Sequence, residues 1–145
     1  MEINANSFSL RGESGLVKIV SDSIFVPRAP AEACEDEAEC DVIVESNGFR
    51  VNKAATLKMS SIMAFLVDLG DVARRRSGTA EFLGAEGDLS IVLVCDGEAR
   101  VECRMSDRNE GKENSVRVKY PIEPSYFEEL EAELAAFREY SATGA

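Results

Sequence analysis

The stretch EACEDEAECD, residues 32–41, concentrates more reactive side chains than any other: six carboxylates and two thiols in ten residues. Carboxylates and thiolates are metal ligands, and crowded carboxylates can do acid–base work. A calcium loop needs oxygen ligands in alternation with a glycine at its bend, and this stretch has neither. A zinc site needs four ligands. Cys34 and Cys40 are separated by five residues, wider than the usual two to four, and only Cys95 and Cys103 are left to complete a four-thiolate set. The spacing therefore speaks against a metal, and no cofactor is expected. Glu32, Glu35, Asp36, Glu37, Glu39 and Asp41 read instead as solvated charge, or as a surface that attracts a basic partner.

The chain has no histidine. That removes Ser-His-Asp and Cys-His catalysis, the HExxH metalloproteases and the deaminase-type zinc site. It also removes the commonest acid–base group near neutral pH. Catalysis would have to rest on carboxylates, Lys, Tyr or Cys, so the expectation is a protein that is not an enzyme.

The charge balance, 27 Asp plus Glu against 16 Lys plus Arg, gives a net −11. Such a field repels nucleic acid and anionic membranes and attracts basic proteins. The 145 residues, 45% of them hydrophobic, suit one globular domain with a real core. No apolar run approaches the ~18 residues of a membrane helix. MEINANSFSL lacks the basic and apolar regions of a signal peptide. A cytoplasmic protein with free thiols is therefore expected.

Elements must position these groups, and most of the chain reads as strands. SFSLRG (7–12) and GLVKIV (15–20) alternate apolar and polar residues across a short turn. A short apolar piece, 23–26, leads into an acidic loop at about 27–40. In DVIVESNGFRVN, Asn47-Gly48 signals a type I′ hairpin, which pairs Ser46 with Phe49, Glu45 with Arg50 and Val44 with Val51. Residues 59–76 switch to helical spacing, with Ile62, Phe65, Leu66, Leu69, Val72 and Ala73 on one face. Ser60 or Ser61 is placed to cap its start, and Arg74, Arg75 and Arg76 suit the negative end of its dipole.

Strands are expected at 79–84, 88–97, 98–105 and 115–120, with a polar loop at 106–114. A two-residue turn at Asp96-Gly97 sets Val92 opposite Val101, Val94 opposite Ala99 and Ser90 opposite Cys103, which keeps Cys95 and Cys103 from being partners. Strand 88–96 is apolar on both faces, which predicts cover on both sides. A second helix runs from 124 to 140, with Phe127, Leu130, Leu134 and Phe137 recurring at helical spacing and Pro124 in its first turn, before a frayed tail. The reading is a single α+β domain over 1–145: an antiparallel β-sheet built from hairpins, packed against two helices.

From about residue 40 to 138 the chain resembles the bacterial WapI-type immunity proteins and related families of unassigned function. The resemblance rests on the order of the hairpin, SSIMAFLVDLGDVAR, GTAEFLGAEGDLSIVLVCDGEARVECRM and VRVKYPIEPSYFEELEAELAAF. The strand that runs into PSYFEELEAEL is its most specific part. Relatives often carry Gly-His after the central hairpin strand, and here DGEARV stands in its place. The resemblance implies an antitoxin that binds and blocks a polymorphic toxin, often a nuclease. A nuclease holds phosphates in a basic cleft, which the acidic run at 32–41 could occlude. Glu128, Glu131 and Glu139 on the last helix form a rival acidic surface, and Tyr120, Tyr126 and Tyr140 are candidate anchors or core residues. The alternatives are a small-ligand-binding or carboxylate-based enzyme domain, and a self-associating structural protein.

Overall fold

The computed structural model describes residues 6–21, 37–84, 88–109 and 112–143. Among the described residues it is α+β, with eight strands and two helices. In chain order these are β1 (Ser7–Arg11), β2 (Gly15–Ser21), β3 (Glu37–Ser46), β4 (Phe49–Lys58), α1 (Met59–Arg75), β5 (Ser77–Leu83), β6 (Leu89–Asp96), β7 (Ala99–Asn109), β8 (Lys112–Ile122) and α2 (Ser125–Thr143). The strands form two antiparallel four-stranded sheets rather than one, in the orders β1-β2-β3-β4 and β5-β6-β7-β8. Every pairing joins strands that are neighbours in the sequence, so each sheet is an antiparallel meander. Among the described residues no helix is long and apolar enough to cross a membrane.

Alternation decides which face of the first sheet is buried. Phe8 and Leu10 of β1, Val17 and Ile19 of β2, and Cys40, Val42 and Val44 of β3 all point inward. They meet the inner face of the second sheet, where Phe82, Ile91, Leu93, Val101, Cys103, Val118 and Tyr120 are buried. The helices complete the core with the faces expected of them. Ile62, Phe65, Leu66, Leu69, Val72 and Ala73 of α1 are buried, as are Phe127, Leu130, Leu134 and Phe137 of α2. Phe8 stacks edge-on against Phe137 at 5.1 Å, and Phe65 lies 5.5 Å from Phe82. Each such pair contributes about 0.5–1.5 kcal/mol beyond its buried area, so this cluster fastens both helices to both sheets.

The first hairpin has the expected register: Ser46 opposite Phe49, Glu45 opposite Arg50, Val44 opposite Val51. Asn47 and Gly48 both have positive φ, 50° and 82°, as a type I′ turn demands. The second hairpin differs by one residue. Cys95 pairs with Ala99 and Leu93 with Val101, because the loop is Asp96-Gly97-Glu98 and not a two-residue turn. Cys103 accordingly faces Ile91, not Ser90, and Val92 faces Glu102. The shift puts Ile91, Leu93, Cys95, Val101 and Cys103 together in the core, and burial of that face selects it. β6 is central but buried on one face only, since Ser90, Val92 and Val94 are half-exposed on the other.

Four further expectations are corrected. Residues 37–40 belong to β3, so the acidic segment is not loop up to residue 40; the predicted strand at 23–26 and the segment 22–36 lie outside the described residues. Within the expected loop 106–114, residues 106–109 continue β7 and 112–114 begin β8, pairing Ser106 with Ser115 and Asn109 with Lys112. α1 starts directly from β4 with Lys58 at its N-cap and no side-chain cap, because the strand delivers the chain straight into the helix. α2 extends to Thr143, past the expected end at 140, and Pro124 immediately precedes it.

Candidate protein-binding face

β3 runs through the first sheet with its inward side chains in the core, so its alternate residues share the outer face. Register places Glu45, Ile43, Asp41 and Glu39 there in a column, flanked by Leu16, Lys18 and Val20 of β2 and by Arg50, Asn52, Ala54 and Thr56 of β4. Glu39 is exposed, Asp41 and Glu45 half-exposed. Glu45 accepts a long ion pair from Arg50 at 3.5 Å. Neither helix makes an extensive contact with the described residues of β2 or β3. α2 lies instead along the free edge of β1, where the Ser9 backbone N–H and hydroxyl donate to Glu133 at 3.1 and 3.0 Å and Arg11 pairs with Glu129 at 3.2 Å.

Of the six acidic residues singled out in the sequence, two are thereby placed on this face with their side chains described, Glu39 and Asp41. Glu37 also belongs to β3, opposite Lys58, and its side chain is outside the description. Glu32, Glu35 and Asp36 lie outside the described residues altogether. The sequence marks Glu45 only as the partner of Arg50. The alternation Cys40, Val42, Val44 inward against Glu39, Asp41, Glu45 outward is the available signal for a single acidic column.

The rival surface also forms: Glu128, Glu131 and Glu139 are exposed on α2. The tyrosines divide. Tyr120 is 2% exposed and its hydroxyl donates to the Leu10 carbonyl oxygen. Burial first, and then neighbouring Cys103, push its hydroxyl well above the usual phenol range. Tyr126 is half-buried against the core, and the side chain of Tyr140 is outside the description.

The cysteines do not converge. Cys40 is buried in the first sheet and Cys95 and Cys103 in the second, none bonded to another of the three, while Cys34 is outside the described residues. Burial pushes the Cys103 thiol up to about 12, so it stays protonated at neutral pH and is a poor nucleophile or ligand there.

The arginine cluster is used at a junction. Arg74 pairs with Asp71, and Arg76 closes α1 in the left-handed conformation, its N–H donating to the Val72 carbonyl at 2.8 Å. The Arg76 guanidinium lies 4.6 Å above the Phe127 ring and donates to the Pro124 carbonyl at 3.0 Å. Beside it a pocket of about 390 Å³, floored by Cys95, Ala99, Ile122 and Phe127, offers room for a small apolar group. A groove of about 610 Å³ separates the two hairpin turns of the first sheet, with Phe49 55% exposed at its edge. Comparisons with protein-family models, curated proteins and solved structures give no match to this chain.

Proposed function

We propose that the protein acts by binding: an immunity protein that occludes a basic bacterial toxin, as its resemblance to the WapI-type proteins implies. The observation that supports this reading is the column of Glu39, Asp41 and Glu45 on a sheet face that neither helix covers. Rigid strands hold these carboxylates at fixed spacing, so a cationic cleft meets an ordered negative surface. In a chain of net −11 such a face steers a basic protein into encounter and competes with the phosphates of its substrate.

The test uses a basic nuclease-toxin domain as the binding partner. Replacing Glu39→Gln, Asp41→Asn and Glu45→Gln together is expected to slow association by about tenfold at low salt and to flatten its salt dependence. If affinity and salt dependence both stay as in the parent complex, this face is not the interface.

A further inference from the structure

Two four-stranded sheets have four edges, and the fold treats them unequally. The edge of β1 is covered by α2, with Glu133 taking its outward Ser9 N–H. β8 lies against the β1–β2 hairpin, where Tyr120 donates to Leu10 and Gly12 abuts the Pro121 carbonyl. β5 packs along α1. β4 pairs with β3 on one side, and on its other side no described residue hydrogen-bonds to its backbone. Proteins generally blunt such an edge by proline, a bulge, shortness or inward charge. β4 keeps unbroken register over ten pairs and contains no proline. Its inward-turned charge is Lys53, which reaches Asp88 at 3.3 Å and the Ser106 carbonyl at 2.8 Å, and Arg50 and Lys58 leave charge near its two ends. The Lys53 contact holds the strand in place without covering its edge.

The type I′ turn fixes which groups the edge presents. Ser46 and Phe49 close the hairpin as a hydrogen-bonded pair, so alternate pairs onward bond to β3 through Val51, Lys53, Ala55 and Leu57. The N–H and C=O groups of Arg50, Asn52, Ala54 and Thr56 point away from the sheet, and the side chains of these four are exposed. We infer that β4 is a strand-addition site for an extended segment of another protein that carries a carboxylate near each end. Charge selects this occupant. Antiparallel pairing of β4 with a second copy centred on Ala54 sets Arg50 opposite Lys58 of that copy at both ends, pairing centred on Lys53 sets that cation opposite itself, and like charges directly opposite destabilise a ladder. β4 has three cations, Arg50, Lys53 and Lys58, and no carboxylate. An incoming strand with carboxylates opposite Arg50 and Lys58, and small or β-branched residues opposite Asn52, Ala54 and Thr56, complements it along its length. This inference does not rest on the acidic-face reading, which concerns the side chains of β3.

The probe is a capped peptide of matching length, glutamate at each end and threonine alternating with valine between, compared with its lysine-ended counterpart. Amide exchange followed by NMR is expected to slow by at least about tenfold at Arg50, Asn52, Ala54 and Thr56 with the glutamate-ended peptide. Ala54→Pro removes only an outward N–H, so it should abolish this protection while Val51, Lys53 and Ala55 stay protected by β3. Arg50→Glu combined with Lys58→Glu tests the same edge without a backbone change and should reverse the preference to the lysine-ended peptide. Unchanged exchange at millimolar glutamate-ended peptide, equal protection by both peptides, or a charge-reversed variant that keeps the parent preference each overturns the proposal. So does a dimer, seen by light scattering, that Ala54→Pro dissolves, because the occupant is then a second copy.

Discussion

Tyr120 can lie flat across the β1–β2 hairpin because two residues there have no side chain. A Cβ on Gly15 would overlap the Tyr120 ring, and one on Gly12 would overlap the Pro121 carbonyl oxygen. Neither glycine is required by a positive φ, unlike Gly48 at 82° and Gly97 at 102°. Their role is close approach: they let β8 of one sheet pack against the first hairpin of the other, where the Tyr120 hydroxyl reaches Leu10. Gly15→Ala should therefore force the ring and the strand apart, with a loss of about 1–3 kcal/mol, the usual range for overpacking. Urea unfolding measures it, and Gly48→Asn supplies the contrast. Nothing lies within 4 Å of a Cβ at Gly48, and Asn tolerates positive φ better than other residues. If Gly15→Ala unfolds at the parent midpoint, Tyr120 is not the fixed joint between the sheets. From the sequence Tyr120 is a candidate for surface or core alike, because a glycine contact across two sheets leaves no periodic trace.

Among the elements, both helices are legible in the sequence because an apolar stripe at 3.6-residue spacing fits a helix and not a strand. The Asn47-Gly48 hairpin is legible because its turn chemistry leaves one register. The Asp96-Gly97 hairpin is not, since Gly97 also serves a three-residue loop, and local pairing does not distinguish Val92 or Leu93 opposite Val101. Burial of the whole face makes that choice, and it is a tertiary effect. The start of β3 is hidden differently: the density of charge at 32–41 obscures the alternation that begins before Cys40. The extra length of β7 and β8 is hidden by polarity, since Ser106 to Asn114 carries no apolar stripe.

The docking of α2 on β1 is also beyond sequence reasoning, because Glu133 looks like one of many solvent-facing acids. It gives this element contact a specific test. Ser9 is buried, and Glu133→Ala leaves its N–H and hydroxyl without their acceptor, at a cost of about 1–3 kcal/mol. Glu133→Gln keeps an acceptor and should retain most of the stability. Faster amide exchange at Ser9 in the Ala variant alone would confirm that the carboxylate seals this edge. Equal stability of parent and Ala variant would mean that α2 is held by Phe127, Leu130, Leu134 and Phe137 without it.

For the molecule as a whole, net charge and local pairing pull in opposite directions. Every described ion pair has at least one partner that is more than a third exposed, and such pairs contribute only about 0.2–1 kcal/mol each and weaken with salt. Against them stands a net −11 confined to 145 residues, and this self-repulsion also weakens with salt. Raising ionic strength from about 0.01 M to about 0.15 M shortens the screening length from ~30 Å to ~8 Å. That change removes most repulsion between distant carboxylates, such as Glu39 on β3 and Glu131 on α2, while pairs in contact lose less. The melting temperature should therefore rise over this interval, and calorimetry at neutral pH in sodium chloride measures it. The Glu39→Gln, Asp41→Asn, Glu45→Gln variant removes three negative charges from the open face, so its rise should be smaller than the parent's. A melting temperature that falls with salt in the parent would show that the surface pairs outweigh the repulsion. The acidic face would then be a stabilising network, not a field available to a partner.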